Sequence, residues 1–173
     1  MRPLPIYIGY DEAEPVAFHA CAESIIRNSS IPVSITPLYS KQLEFRNPSG
    51  KDGYQQSNGF IYTRYLTPYL CGFKGLALFL DGDQIVNGDV SDLFFNHQYG
   101  KAVHVVKHDY TPRFSNKYLG ATNEAYPRKN WSSFMLFECE HFKNRRLIPQ
   151  FLEKQTGQYL HRLEWVDDED IGE

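Results

Sequence analysis

Residues 76–80, LALFL, form an unbroken apolar run that stops at Asp81, Gly82 and Asp83. A run this short and this apolar predicts a buried strand, and a buried strand needs other elements to cover it. Further short strands are predicted at 4–11, 31–39, 102–106, 133–138 and 161–166. Between them lie helix-like segments at 14–28, 60–70 and 89–94, and a broken one at 145–155. Strands alternating with helices predict an α/β class, and 173 residues suit one domain over the whole chain.

Local signals refine that plan. Pro15 suits a first helical turn, with Val16, Ala20, Ile25 and Ile26 as an imperfect apolar face. The prolines of 31–39 predict that this strand is short or near a sheet edge. Phe60, Ile61, Arg64, Tyr65 and Pro68 fall near one stripe, and Pro68 is expected to end or kink the helix. Asp89 or Ser91 caps the segment 89–94. Residues 46–59 are polar and Gly-rich and read as a loop, and 107–130 read as irregular.

Composition excludes several classes. The net charge of −3 provides no global field for nucleic acid. No apolar run is long enough for a transmembrane segment, and MRPLPIYIGYD lacks the apolar core of a signal peptide, so a cytoplasmic location is expected. Cys21, Cys71 and Cys139 are widely spaced among apolar neighbours and read as reduced core thiols. With 12 Tyr and 12 Phe the aromatic share is high, which suits polar ring-shaped ligands as well as a core.

In an open α/β sheet, ligands sit beyond the carboxyl ends of the strands, where Asp81 is expected. In extended backbone, residues two apart face the same side, so both carboxylates can meet one point. Gly82 lets the chain bend and lets a ligand approach the backbone. Two hard anionic oxygens suit Mg²⁺ or Mn²⁺ carrying a diphosphate. A tight Asp-Gly hairpin turn is the plain structural alternative. An EF-hand loop is excluded, because Ile85 and Val86 stand where it needs Asp or Asn and then Gly. A haloacid-dehalogenase-type phosphatase also places Asp-x-Asp after an apolar strand, but Ile85 fills a position that usually holds Thr or Val. The Gly-Lys of SGKD is not a phosphate loop, because Asp52 follows where Ser or Thr is needed.

The stretch FIYTRYLTPYLCGFKGLALFLDGDQIVNGDVSDLF (60–94) resembles nucleotide-sugar glycosyltransferases of the GT-A fold, most of all the family 8 group. It combines an aromatic helix carrying Arg, a Pro near its end, an apolar strand, Asp-x-Asp and IVNGDVSDLF. The strand ending at Asp11 and the acidic cluster at 167–170 follow the same order. The resemblance implies a Rossmann-like mixed, mostly parallel sheet flanked by helices. It implies that a hexose passes from a UDP-sugar donor, with retention, to a carbohydrate or protein acceptor. Asp81 and Asp83 would then hold Mn²⁺ or Mg²⁺, and Arg64 would lie near the diphosphate. Tyr10 and Asp11 would meet the nucleoside.

NWSSFMLFE (130–138) stands where the group has Asn-Ala-Gly before an apolar strand. Trp131, Ser132 and Ser133 would contact the donor sugar there. Asp168 and Glu169 resemble an Asp-Gln pair that reaches the transferred sugar. The group also has a third metal ligand, a His followed by Gly and Lys, in a segment farther along. None of His19, His97, His104, His108, His141 or His161 stands in that context, and His104 and His108, four apart on a strand, are read as core or surface. The end, VDDEDIGE, reads as a loop leading onward, so a C-terminally shortened chain is expected.

Overall fold

The computed structural model describes residues 2–43, 45, 60–108 and 127–173. The loop expected at 46–59 lies outside the described residues, as does most of the irregular stretch 107–130. In chain order the elements are β1 (Leu4–Gly9), α1 (Pro15–Arg27), β2 (Val33–Leu38), α2 (Thr67–Leu70), β3 (Leu76–Leu80) and α3 (Ser91–Phe95). They continue with β4 (Val103–Val105), β5 (Phe134–Glu138), α4 (Pro149–Leu152), α5 (Gly157–His161) and β6 (Ile171–Gly172). The strands form one mixed sheet in the order β2-β1-β3-β5-β4-β6. β1 pairs parallel with β2 and β3, β4 pairs parallel with β6, and β5 runs antiparallel to both β3 and β4. The expected α/β class is found, and β2 is the edge strand that its prolines predicted.

The apolar run of β3 is explained by cover on both faces. Leu78 and Leu80 join Ile6 and Ile8 of β1 against Cys21 and Ile25 of α1. Ala77 and Phe79 point the other way, into a cluster with Tyr7, Tyr65, Met135, Phe137 and Trp165. Successive strand side chains alternate between faces, so a strand covered on both sides must be apolar throughout. At one buried leucine, Leu78→Ala would cost about 2–5 kcal/mol.

Several local expectations are corrected. The inward face of α1 is Phe18, Cys21, Ala22 and Ile25, spaced i, i+3, i+4, i+7, while Val16 and Ile26 are exposed. Residues 63–66 form a 3-10 turn, and Pro68 stands in the first turn of α2 and does not end it. Val90 is the N-cap of α3, and Asp89 acts next to it, its Oδ1 accepting from the Ser91 N–H at 2.9 Å. The strand expected at 161–166 is instead the end of α5 and a turn. Tertiary packing decides this, because Leu160, Leu163, Trp165 and Val166 all enter the same core without a strand partner. The final strand is β6, held by Val103 opposite Ile171.

Candidate functional site

Asp81 follows the last residue of β3, and its N–H donates to the Ser133 carbonyl at 2.9 Å. Residues 84–87 are not a strand and Ile85 is exposed, which removes the hairpin alternative. Glycines make this corner tight. A Cβ at Gly82 would stand 2.6 Å from the Gly9 carbonyl oxygen at the end of β1. A Cβ at Gly9 would stand 2.4 Å from the Phe60 ring. The ends of β1 and β3 and the residue that opens the 60–70 segment therefore converge.

Arg64 is buried at this corner. Its side chain is 4% exposed, and its guanidinium lies 5.3 Å from the Phe60 ring centroid and 5.2 Å from that of Phe79. Such ring faces favour a cation that burial would otherwise penalise. Nη1 approaches Asp81 Oδ1 at 2.9 Å and donates to the Ser132 carbonyl at 2.9 Å. Asp81 is 20% exposed, and burial raises its carboxyl to about 6, opposed by Arg64 and reinforced by Asp83. Asp81 Oδ1 accepts no well-aligned hydrogen bond among the described residues. A carboxylate held against Arg64 in this way is a poor fit to the attacking nucleophile of a phosphatase.

Asp83 is exposed beside this buried pair. Among the described residues no group of three or more His, Cys, Asp or Glu side chains is placed to hold a metal. Asp81 and Asp83 nevertheless fit a hard divalent cation. They supply one largely buried carboxylate, its Oδ1 paired with Arg64, and one exposed carboxylate, and Mg²⁺ sites commonly use one or two carboxylates plus substrate phosphates.

The remaining candidates are placed around this corner in different ways. Tyr10 packs edge-on against Phe18 and Tyr39, at 5.5 and 5.3 Å between centroids. Asp11 Oδ1 accepts from the Ala13 N–H at 2.9 Å, which closes the turn before α1 and does not cap the helix, whose N-cap is Glu14. Asn130, in the left-handed region at φ 66, opens a 3-10 turn over Trp131–Ser133. The Ser132 hydroxyl is buried against His161 Nδ1 at 2.9 Å, and the Ser133 hydroxyl donates to the Asn130 carbonyl at 2.8 Å. What these serines bring to Asp81 and Arg64 is their carbonyls. Trp131 lies under Lys107, with Nζ 5.8 Å from the ring centroid.

Asp168 and Glu169 stand in the 3-10 turn before β6. That turn leads into β6, which runs parallel to β4 and β3 and begins beside Val103 at the start of β4, so it lies at the opposite end of the sheet from Asp81, which follows the end of β3. Asp168 pairs with Arg128, and Arg128 Nη1 also donates to the Arg162 and Leu163 carbonyls, each at 2.9 Å. Arg128 thus links the acidic turn to the segment that carries Ser132 and Ser133. The Glu169 carbonyl accepts from Lys101 Nζ at 2.6 Å. Two contributors escaped sequence reading: Gln84, whose Nε2 donates to the Ser133 carbonyl at 3.1 Å, and His161. Neither is flagged by a local motif, because each acts on a segment distant in sequence.

The chain is 41% identical over 174 residues to Protein CDI of Arabidopsis thaliana, covering 99% of this chain and 66% of that protein. The WbbM bifunctional glycosyltransferase superposes with TM-score 0.62 at 15% identity, over 98% of this chain and 38% of that one. GlyE, a glycosyltransferase of Streptococcus pneumoniae TIGR4, superposes with TM-score 0.56 at 14% identity, over 98% of this chain and 42% of that one. No family model matches the chain. The fold, a mixed six-stranded sheet with flanking helices, is the one these glycosyltransferases contain. This chain spans 66% of the length of its curated relative. Among the described residues no helix is long and apolar enough to cross a membrane.

Proposed function

We propose that this chain carries the donor-binding part of a glycosyltransferase that moves a hexose from a UDP-sugar to a carbohydrate or protein acceptor, with retention at the anomeric carbon. The observation that carries the reading is the corner at the end of β3, where a buried Arg64–Asp81 pair stands beside exposed Asp83. The similarity in fold to known glycosyltransferases supports it.

In this reaction the bond between the anomeric carbon and the diphosphate oxygen breaks, and UDP leaves. Asp81 and Asp83 would hold Mn²⁺ or Mg²⁺, which supplies charge neutralisation on the departing diphosphate. Arg64 keeps the Asp81 carboxylate ionised and oriented, its reach to Ser132 fixing the guanidinium in place. Gly82, buried against the Gly9 carbonyl with no room for a Cβ, makes the tight turn that carries Asp81 and Asp83 to the corner. Tyr10 and Asp11, at the end of β1, are the groups proposed for the nucleoside, and Trp131 offers a ring for stacking on the sugar. Asp168 and Glu169, whose turn stands at the opposite end of the sheet from Asp81, are left out of the proposed donor site, and Arg128 holds Asp168 there.

Calorimetric titration of UDP with and without Mn²⁺ tests the reading. Binding should require the cation and disappear in Asp83→Ala, while that exposed substitution shifts stability by less than about 0.5 kcal/mol. Chromatography of UDP-sugars incubated with the protein then separates turnover from binding alone. Metal-independent binding, or release of phosphate from a generic phosphomonoester without UDP binding, would sink it.

A further inference from the structure

Arg64 and Ser132 are 68 residues apart, yet one imidazole ties their neighbourhoods together. His161, the last residue of α5, brings Nδ1 to 2.9 Å from Ser132 Oγ and 3.1 Å from Tyr65 Oη. All three residues are buried. Tyr65 is the residue after Arg64 in the same 3-10 turn, and its ring is wedged edge-on between His161 and Trp165. Ser132 presents its carbonyl to Arg64, and the next carbonyl, of Ser133, receives the Asp81 N–H and the Gln84 amide. One side of the imidazole contact thus sets the turn that aims Arg64. The other sets the carbonyls that hold Arg64 and the Asp81–Gln84 loop. A ring nitrogen carries either one lone pair or one proton, so the two hydroxyls share a single centre whichever tautomer is present.

We propose that His161 is a positioning residue: through Ser132 and Tyr65 it sets the spacing between Arg64 and the Asp81–Gln84 loop. The structural part stands on these contacts alone. The consequence for nucleotide affinity rests on the donor-site reading given above. Loss of the imidazole removes one partner from the Ser132 hydroxyl and one from the Tyr65 hydroxyl, which loosens both walls of the loop at once. Outer-shell partners of metal-binding groups commonly change affinity 10–100-fold when removed.

The variants are His161→Leu, which removes the nitrogen, and His161→Asn, whose amide reaches the Nδ1 position. Amide hydrogen exchange, followed residue by residue in metal-free protein, reads the loop without any nucleotide. His161→Leu should speed exchange of the Asp81 N–H at least about tenfold while Leu78 and Phe137 in the central strands keep their protection, and His161→Asn should restore most of it. Ser132→Ala, which removes a single oxygen, is read in the same way if the leucine variant does not fold. Unchanged Asp81 exchange in both, or an equal rise across all strands, overturns the proposal. In parallel, Mn²⁺-dependent UDP affinity should fall about 10–100-fold in His161→Leu. Wild-type protein that binds no UDP refutes the donor-site reading, while the exchange measurement still decides the role of His161.

Discussion

Arg64→Met replaces the buried cation with an apolar chain of similar length and leaves Asp81 without its ion-pair partner. With side chains 4% and 20% exposed, the pair lies where loss of one partner costs about 3–5 kcal/mol. For a chain of this size that is a fall of about 6–20 °C in Tm. Asp81 can limit the loss by taking up a proton. Burial already raises its carboxyl from 3.8 to about 6, against the pull of Arg64. A raised folded value contributes stability below about pH 3.8, lost as pH rises through about 6. Without Arg64 the folded value climbs further and the loss extends upward, so the variant should be less impaired at pH 5 than at pH 8. Urea unfolding at both pH values, with a chelator present, measures this. Adding Asp81→Asn should recover part of the loss, with a coupling of about 0.5–3 kcal/mol. A penalty equal at the two pH values, or losses that simply add, would refute a buried Arg64–Asp81 interaction.

Gly82→Ala should destabilise by about 1–3 kcal/mol and weaken UDP binding, because its Cβ would stand 2.6 Å from the Gly9 carbonyl; an unchanged Tm would contradict that close approach. The Cys71 thiol is drawn down to about 6 by hydrogen bonding from Cys139, with burial opposing and Tyr7 assisting. Burial, Asp83 and Asp81 push the Cys21 thiol to about 11, so alkylation at pH 7 followed by peptide mass analysis should label Cys71 well ahead of Cys21. Burial raises the Asp170 carboxyl, but hydrogen bonds from Lys143 and the Asp167 N–H outweigh it and hold the group below 3.8. That stability is present above about pH 3.8 and lost as pH falls through the folded value, so Lys143→Met should lower Tm at pH 7 and converge on wild type in acid.

Much of the architecture is legible from local patterns. LALFL reads as a buried strand because both of its faces are apolar, and the prolines of 31–39 mark an edge because proline cannot donate to a second neighbour. Asp-Gly-Asp marks the end of the LALFL strand, because the buried apolar run stops where Asp83 reaches solvent. The strand expected at 161–166 failed for an equally physical reason: apolar residues that fill a core need not pair, and β4 takes Ile171–Gly172 as its partner. Gly172 fits there because a Cβ would strike the His104 ring at 2.2 Å.

The sequence by itself determined which residues carry the charge at this site and that a strand delivers them. Tertiary structure decided what those charges do. Arg64 is buried because Phe60 and Phe79 close over it, an arrangement made by residues on different elements. Ser132 and Ser133 act through their carbonyls because an antiparallel β5 begins where β3 ends, setting Phe134 opposite Leu80. His161 reaches the same corner from α5, and its role exists only once segments distant in sequence pack around one ring nitrogen. Local patterns report how each segment meets solvent; which distant segments share a buried polar centre is set by the packing of the whole sheet.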